Sequence, residues 1–402
     1  MITDAGALHG VRILDFTNLL AGPFPSLLCG FLGAQVIKVE SWAQLDAARR
    51  TPYARDNPDN SPAFNSINVN KLSVQLNLKE PKAVTLVHRL TAISDVVVEN
   101  MRPGVMDRLG LGYQQLSRIN SGIIMASISA AGSAGPESSY PGYAPAFNAL
   151  SGLGHMTGYA DGPPGELHDS LDARVGSTAA FAILSALFHR LRTGRGQLID
   201  VSSRESITMA CAEALMDYTM NGRVTHRRGN QEEAMSPHGC YRCEGEDAWL
   251  TVAVGNQQDW EGLCRATGHP EWMLDPRFAD TLLRYTNRDA LDGLLESWTQ
   301  QHSPELAAVT LQGYGVAAAP SMSGRDLLKD PHLGARGVWQ EVEHPIMGVQ
   351  LVPGPPWRLS ETPATIRSPG PLLGQQNHWT LVELLGEPPE QVEKWVEQGI
   401  VY

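Results

Sequence analysis

Strand patterns alternate with helix patterns through roughly the first half of the chain, and this alternation constrains the fold more than any other feature. Short apolar runs at Val11–Phe16, Ala34–Val39 and Ile123–Ile128 predict buried strands, and Lys82–Leu90 has helical spacing. A strand, a helix and a second strand in this order form a right-handed unit with parallel strands. The sequence therefore predicts an α/β fold with an open, Rossmann-like parallel sheet. No G-x-G-x-x-G follows the first strand, so the dinucleotide-binding pattern is absent.

Composition and spacing change along the chain and indicate a second domain. Gly176–Arg192 has the spacing of a long helix with one apolar face, and beyond Gly222 the sequence becomes more polar. His238–Val254 has the pattern of a β-hairpin, and short helical patterns follow it. We predict a large domain in residues 1–222, a smaller α+β domain in residues 223–320, and a C-terminal segment, residues 321–402, that returns to the large domain.

Charge and cysteine usage limit the partners and the compartment. The net charge of -12, from 31 basic and 43 acidic residues, argues against a nucleic-acid partner. We find no apolar run near the ~20 residues of a membrane span and no secretory signal in Met1–Gly10, so we predict no membrane association. Five cysteines, an odd number, indicate a reducing, cytoplasmic location. Cys240 and Cys243 form a C-x-x-C without a second ligand pair, so no metal site is predicted.

The predicted sheet also indicates where a ligand binds. In open α/β sheets, ligands occupy the crevice at the carboxyl ends of the strands. The segments Thr17–Pro23 and Glu99–Gly104 each follow a predicted strand. We therefore expect these two loops to form the ligand site.

Five segments of the chain, in order and at compatible spacing, resemble one enzyme family. They are Gly10–Phe16 with Ala21–Pro23, Gly33–Glu40, Asn70–Lys79, Asp95–Gly104 and Arg192–Ser202. Together they are similar to the class III CoA-transferases of the formyl-CoA and carnitine CoA-transferase type. The resemblance implies an enzyme that moves coenzyme A from an acyl-CoA to a small free carboxylic acid. It also implies a homodimer in which two chains thread through each other as interlocked rings.

The resemblance implies that Asp172 is the nucleophile, because the family's aspartate lies a few residues before the Gly that opens a long helix. A carboxylate just before a helix N-terminus is stabilised as the anion, which is the form that attacks a thioester. The alternative is a structural N-cap aspartate. Asp169 is the substitute if the alignment is shifted, and His168 is expected to be a loop residue.

The resemblance further implies a CoA site formed by several loops. Asn18, Leu19, Leu20 and Ala21 correspond to the backbone that holds the adenine and pantetheine. The other expected CoA-lining residues are Lys71, Leu72, Asn100, Met101, Arg102, Arg108 and Tyr143. Among the cations, Arg102, Lys71 and Lys38 are candidates for phosphate contact, with solvated surface positions as the alternative. CoA is thus the only expected cofactor, and it is a substrate.

Three other functions stay open at this point. A racemase of the same fold would need two acid-base groups, one of them a histidine near position 143, where this chain has Tyr143. An isomerase that moves CoA within one molecule would retain Asp172. A non-catalytic acyl-CoA-binding protein would retain the fold alone.

Overall fold

The computed structural model describes residues 6–52, 54, 56–167 and 169–402, with the backbone alone for Asp169. The chain divides into two compact units. The first contains Met1–Gly154, Glu166–Val224 and His332–Tyr402, and the second contains His155–Gly165 and Thr225–Pro331.

This division differs from the predicted boundaries at two places. Residues 155–165 belong to the smaller unit, where the Gly229 amide donates to the Gly158 carbonyl at 2.8 Å. Residues 321–331 also belong to it, because the Ser321 amide donates to the Trp249 carbonyl at 2.9 Å. Neither set of contacts leaves a periodic pattern in the sequence.

A six-stranded, fully parallel sheet forms the centre of the first unit. Its order is β3-β2-β1-β4-β5-β6. The strands are β1 Arg12–Asp15, β2 Gln35–Glu40, β3 Lys71–Gln75, β4 Val96–Glu99, β5 Ile124–Ser129 and β6 Leu198–Ser202. This is the order of two β-α-β-α-β halves that diverge from a central pair, here β1 and β4. The predicted parallel α/β sheet is confirmed.

Helices cover both faces of this sheet because successive strand residues point to opposite sides. Leu14 and Val97 pack into the core cluster on one face, and Ile13 and Val96 pack into the cluster on the other. The helices of this part of the chain are α1 Pro23–Phe31, α2 Pro62–Ile67, α3 Pro81–Ala92, α4 Val105–Arg108, α5 Tyr113–Ile119, α6 Ala144–Leu150, α7 Leu153–Met156, α8 Asp169–Thr193, α9 Ser203–Thr208 and α10 Ala212–Asn221. Short 3₁₀ turns occur at Trp42–Gln44, Ala47–Arg50 and Met209–Cys211.

Helix α8 begins at Asp169, earlier than the predicted Gly176. Leu171 and Val175 are buried and extend its apolar face by one turn, which explains the earlier start. By length and composition Ser170–Thr193 could span a membrane, so the sequence-based statement that no apolar run approaches that length was wrong. In this structure one face of α8 packs in the core of the first unit, and core helices pass the same test.

The second unit contains a three-stranded antiparallel sheet in the order β7-β8-β9. Its strands are β7 His238–Arg242, β8 Trp249–Ala253 and β9 Ala317–Pro320, so the predicted hairpin is confirmed. Its helices are α11 Gln257–Ala266, α12 Thr281–Thr286, α13 Arg288–Thr299, α14 Pro304–Gly313 and α15 Gly324–Lys329, with 3₁₀ turns at Pro270–Leu274 and Pro276–Phe278. Trp260, Phe278 and Leu291 lie in its separate core.

The C-terminal segment closes the open edge of the large sheet. The Gln376 side chain accepts from the Ser73 amide at 2.7 Å, and the Asn377 side chain accepts from the Gln75 amide at 2.8 Å. These bonds satisfy edge-strand amides that would otherwise be available to another chain. The segment contains α16 Pro331–Ala335, an antiparallel hairpin of β10 Trp339–His344 and β11 Gly348–Pro353, a π-helix at Trp379–Leu384, and α17 Pro389–Glu397. Sequence analysis missed the hairpin.

Candidate active site

Two loops meet at the carboxyl edge of the sheet, where the strand order reverses. The β1 loop (Thr17–Gly22) joins β1 to α1, and the β4 loop (Asn100–Gly104) joins β4 to α4. Because β1 pairs with both β2 and β4, these loops flank the point from which the two halves diverge. Such a point is the usual ligand crevice of an open α/β sheet.

The two loops are bonded to each other through Asn100. Its side-chain oxygen accepts from the Asn18 amide at 2.8 Å, and its side-chain nitrogen donates to the Asn18 carbonyl at 2.9 Å. Gly22 permits this approach, because a Cβ there would lie 2.6 Å from Asn100 Cγ. The structure therefore brings the predicted residues Asn18 and Asn100 together.

Leu19, in the β1 loop, has an unusual backbone conformation. Its φ is +64°, a left-handed value that a leucine rarely adopts. The Leu19 amide donates to Asp46 Oδ1 at 2.9 Å. Leu20 and Ala21 follow it and are half-buried.

A buried charge cluster (Asp15, Lys38, Asp46 and Lys71) lies beneath the β1 loop. Lys71 Nζ donates to Asp15 Oδ2 at 2.9 Å and to the Pro23 carbonyl at 3.0 Å. Lys38 Nζ donates to the Thr17 carbonyl at 2.6 Å and lies 3.3 Å from Asp46 Oδ2. Both lysines are 1% exposed. The expectation that Lys71 and Lys38 contact phosphate is therefore corrected: both ammonium groups are enclosed and bonded inside the protein.

Opposite charges set the protonation states within this cluster. Burial acts to raise the pKa of Asp15, but Lys71 and Lys38, with the hydroxyls of Ser26 and Thr17, hold that pKa well below its usual range. Burial acts to lower the pKa of Lys38, yet Asp15 and Asp46 raise it overall. Burial lowers the pKa of Lys71 to about 8, and repulsion from Lys38 adds to this effect. Asp15 is thus a firmly ionised centre between two ammonium groups.

Asp172 lies in the first turn of α8, and it is half-buried. An N-cap residue lies outside its helix, so the N-cap alternative for Asp172 is wrong. Gly176 follows one turn later, where a Cβ would lie 3.0 Å from the Ala21 carbonyl oxygen and 2.5 Å from Phe24 Cβ. This close packing sets the first turns of α8 against the end of the β1 loop. His168 and the side chain of Asp169 lie outside the described residues.

The remaining predicted residues fall into two groups. Arg102 and Arg108 are exposed, and within the described part of the chain neither guanidinium has an ion pair or hydrogen bond. Tyr143 is 71% exposed at the start of α6, whose Ala144 packs into the same core cluster as Leu171. These three side chains are open to a ligand.

Met101 and Leu72 pack against the core. Both are half-buried against the core cluster on one face of the sheet. Leu72 pairs in register with Ile37, inside the sheet, so the structure does not bring it to the carboxyl edge.

Comparison with known proteins places this geometry in a family. Residues 8–377 match the family described as CoA-transferase family III. The chain is 34% identical to the succinyl-CoA:glutarate CoA-transferase of Mus musculus, over 98% of this chain and 90% of that protein. It is 32% identical to the succinyl-CoA–D-citramalate CoA-transferase of Chloroflexus aurantiacus, over 94% of each. The crystal structure of a CAIB/BAIF family protein from Brucella suis aligns with a TM-score of 0.85 and 30% identity, over 94% of this chain and 100% of that one.

The chain belongs to CoA-transferase family III. The resemblance found in the sequence is confirmed, and the protein is a class III CoA-transferase enzyme.

Sequence reasoning missed three carboxylates at the candidate site of this CoA-transferase. Asp15 and Asp46 belong to the buried charge cluster, and Glu99 is 6% exposed at the end of β4. Glu99 Oε2 accepts from the Met101 amide at 2.8 Å, and burial raises its pKa despite this bond and one from Ser127. For Asp15 and Glu99 the available signal was a charged residue at the end of an apolar strand, because such a residue needs a buried partner. Asp46 lies outside the strands and has no such signal.

The structure provides no metal-binding cluster for this CoA-transferase within its described residues. No group of three or more His, Cys, Asp or Glu side chains there could hold a metal ion. Cys240 is half-buried in β7, and Cys243 is buried directly after it. Both are free thiols.

Proposed function

We propose that the enzyme transfers CoA between carboxylic acids through covalent intermediates on Asp172. The observation that supports this is the position of Asp172 in the first turn of α8, one turn before Gly176, which packs closely against the Ala21 carbonyl at the end of the β1 loop. The positive end of the helix dipole favours the carboxylate, which is the attacking form. Net charge is -12, so local groups rather than the overall field must hold an anionic CoA.

The proposed reaction balances without ATP. The Asp172 carboxylate attacks the thioester carbonyl of the donor, the carbon–sulfur bond breaks, and a mixed anhydride and CoA thiolate form. The thiolate then attacks the Asp172 carbonyl, which releases the donor acid and leaves an aspartyl-CoA thioester. The acceptor carboxylate attacks that thioester, and the freed thiolate finally attacks the acceptor acyl group. Asp172 is regenerated and a new acyl-CoA leaves.

CoA is proposed to bind across the β1 and β4 loops. Asn18, Leu19, Leu20 and Ala21 would contact it mainly through backbone groups. Arg102 and Arg108 would contact its phosphates, because both guanidinium groups are exposed at or directly after the β4 loop. Met101 and Tyr143 would border the pantetheine and the acyl group.

The proposed acids are short dicarboxylates. Two of the most similar relatives are named for succinyl-CoA as donor, with glutarate or D-citramalate as acceptor. In each of these acids a chain of two or three carbons separates two carboxyl groups. The donor acyl group and the acceptor acid would therefore occupy one common subsite. We also propose a cytoplasmic location, consistent with five free cysteines.

The proposed assembly is an interlocked homodimer. Helix α10 has no buried residue, although Leu215, Met216 and Tyr218 on it are apolar or aromatic. On α8, Phe181 is 74% and Leu191 82% exposed. Apolar surface of this extent is typical of a partner-covered face. Light scattering should give a mass near twice 43.6 kDa, and a stable monomer would contradict the assembly.

One experiment tests the chemistry and the substrates together. Purified enzyme is incubated with succinyl-CoA and a panel of mono- and dicarboxylic acids, and new acyl-CoA thioesters are identified by mass spectrometry. In a parallel reaction, hydroxylamine traps activated carboxyl groups. We expect dicarboxylyl-CoA products and a hydroxamate on the peptide that contains Asp172. A hydroxamate on Asp169 would retain the chemistry but move the nucleophile, whereas turnover without any labelled peptide would refute covalent catalysis.

A further inference from the structure

The partly exposed β1 loop is held from inside the protein by side chains that bond to its backbone. From this we propose that the buried charge cluster (Asp15, Lys38, Asp46 and Lys71) is a set of positioning residues. It fixes the β1 loop in the conformation that binds CoA. This inference rests on the proposed function, since it assumes that the loop is the CoA site.

Both ends of the loop are fixed by ammonium groups. Lys38 bonds the Thr17 carbonyl at 2.6 Å, where the loop begins, and Lys71 bonds the Pro23 carbonyl at 3.0 Å, directly after it ends. Asp15 links the two ends, because it accepts from Lys71 at 2.9 Å and from the Thr17 amide at 2.8 Å. The loop therefore cannot shift at either end without breaking a charge-assisted hydrogen bond in the interior.

The middle of the loop is fixed in a strained conformation. A bulky residue at φ +64°, such as Leu19, costs about 1–3 kcal/mol and persists only where its surroundings impose it. Leu19 is 36% exposed, so its conformation is not a requirement of core packing. The bond from its amide to Asp46 Oδ1 imposes the conformation instead. Strain of this kind is characteristic of binding sites that are shaped before the ligand arrives.

Stability alone gives a poor account of these four buried charges. Removing charges from water is costly, and replacing a buried ion pair with apolar residues of similar size is often neutral or stabilising. A cluster that served only to stabilise the sheet would therefore have little advantage over leucine and valine. Apolar side chains cannot control the position of backbone groups in this way, because they neither donate nor accept hydrogen bonds.

The test compares CoA affinity in two cluster variants and one matched control. Lys71→Met removes the ammonium group beneath Pro23, and Asp46→Ala removes the acceptor of the Leu19 amide. Arg190→Met is the control, because Arg190 also bonds a carboxylate, Asp95 at 2.7 Å, and two backbone carbonyls, those of Asp95 and Gly122 at 3.3 Å. Asp95 precedes β4 and Gly122 precedes β5, so the Arg190 bonds lie at the opposite edge of the same sheet.

We expect calorimetry with free CoA to give a Kd raised roughly tenfold or more in each cluster variant. The KM for acyl-CoA should rise by a similar factor while kcat changes little, because the loop binds CoA and Asp172 reacts. Arg190→Met should lower the melting temperature but leave the Kd unchanged. If Lys71→Met does not fold, the Kd of Asp46→Ala for CoA decides whether the inference holds.

An unchanged Kd in the folded cluster variants would overturn the inference. So would an equal rise in the Arg190→Met control, since the effect would then follow from general destabilisation. If the wild-type protein itself does not bind CoA, the proposed function fails, and the inference fails with it. If the wild-type protein binds CoA but the Kd values of the variants differ from those expected, the inference fails and the proposed function remains.

Discussion

The β1 loop and the β5 loop (residues 130–143) lie at the same edge of the sheet but are held in opposite ways. The β1 loop is bonded to side chains that are almost fully enclosed, including Lys38 and Asp46. The β5 loop is bonded at the surface, where Ser133 donates to Asp200 at 3.0 Å and Glu137 pairs with Arg204. Breaking a buried pair costs about 3–5 kcal/mol, whereas an exposed pair contributes about 0–1 kcal/mol.

This contrast suits the two kinds of ligand in a CoA transfer. CoA is the same molecule in every step, so a loop with one fixed conformation loses little entropy when CoA binds. The acids differ between donor and acceptor, and a weakly held loop with Gly132 at φ +82° and Gly135 at φ +91° can adjust to them. Under the proposed function, the β1 loop binds CoA, which is the same in every step, and the β5 loop borders the acids, which differ between donor and acceptor.

Loss of the nucleophile should have the largest effect and should separate binding from chemistry. Asp172→Asn keeps the shape of the side chain but cannot attack a thioester, so kcat should fall by at least about 10³-fold. The Kd for CoA should stay within about twofold, because the β1 and β4 loops are intact. Single-turnover kinetics and calorimetry measure the two quantities. Substantial turnover by this variant would remove Asp172 from the mechanism, and a large loss of CoA binding would show that Asp172 also contributes to binding.

The next largest effect should come from the buried charge beneath the β1 loop. Asp15→Asn should lower the free energy of unfolding at neutral pH by about 3–5 kcal/mol, because two ammonium groups lose their common carboxylate. The pKa of Asp15 is lowered in the folded state from its ordinary 3.8. Its stabilisation is therefore present above pH 3.8 and is lost as the pH falls below that value toward the folded-state pKa.

Urea unfolding across this pH range measures that effect. The wild-type free energy of unfolding should fall more steeply with acid than that of Asp15→Asn, so that the two curves converge. Parallel curves would show that folding does not lower the pKa of Asp15. The contribution of the other carboxylates to the pH dependence is the same in both proteins, so it cancels in the difference between the two curves.

A smaller effect should follow from removing an exposed cation of the β4 loop. Arg102→Ala should raise the KM for acyl-CoA roughly tenfold, the loss expected for one charge-assisted phosphate contact. The KM for the matching acyl-pantetheine, which lacks the nucleotide phosphates, should not change. Arg118→Ala is the control, because Arg118 is exposed in the last turn of α5, which leads to the amino end of β5. A rise with acyl-pantetheine as well would show that Arg102 acts on the loop rather than on phosphate.

Sequence reasoning predicted that the loops after β1 and β4 meet at the carboxyl edge of the sheet, because that arrangement follows from local patterns. The strands, the loops after β1 and β4, and the junction Asn18 to Asn100 all lie in segments with clear apolar periodicity or family resemblance. It misjudged Lys38 and Lys71 because a lysine beside a loop has the same local pattern whether it points outward or inward. The partner of Lys71 is Asp15, 56 residues away in the sequence, and the partner of Lys38 is Asp46, which lies outside the strand pattern.

The smallest expected effect concerns the surface bonds of the β5 loop, and it tests whether the contrast between the two loops is real. Arg204→Ala removes the ion pair between Arg204 and Glu137. The Arg204 side chain is 37% exposed and the Glu137 side chain is 31% exposed. Water and salt screen such a pair, so the free energy of unfolding should change by about 1 kcal/mol or less. The Kd for CoA should be unaffected, whereas the ratio of kcat/KM values for two acids of different length should shift, because the loop gains freedom beside the acyl group. If Arg204→Ala instead weakens CoA binding as strongly as Asp46→Ala, the two loops act as one rigid site, and the division between a fixed and an adaptable loop is wrong.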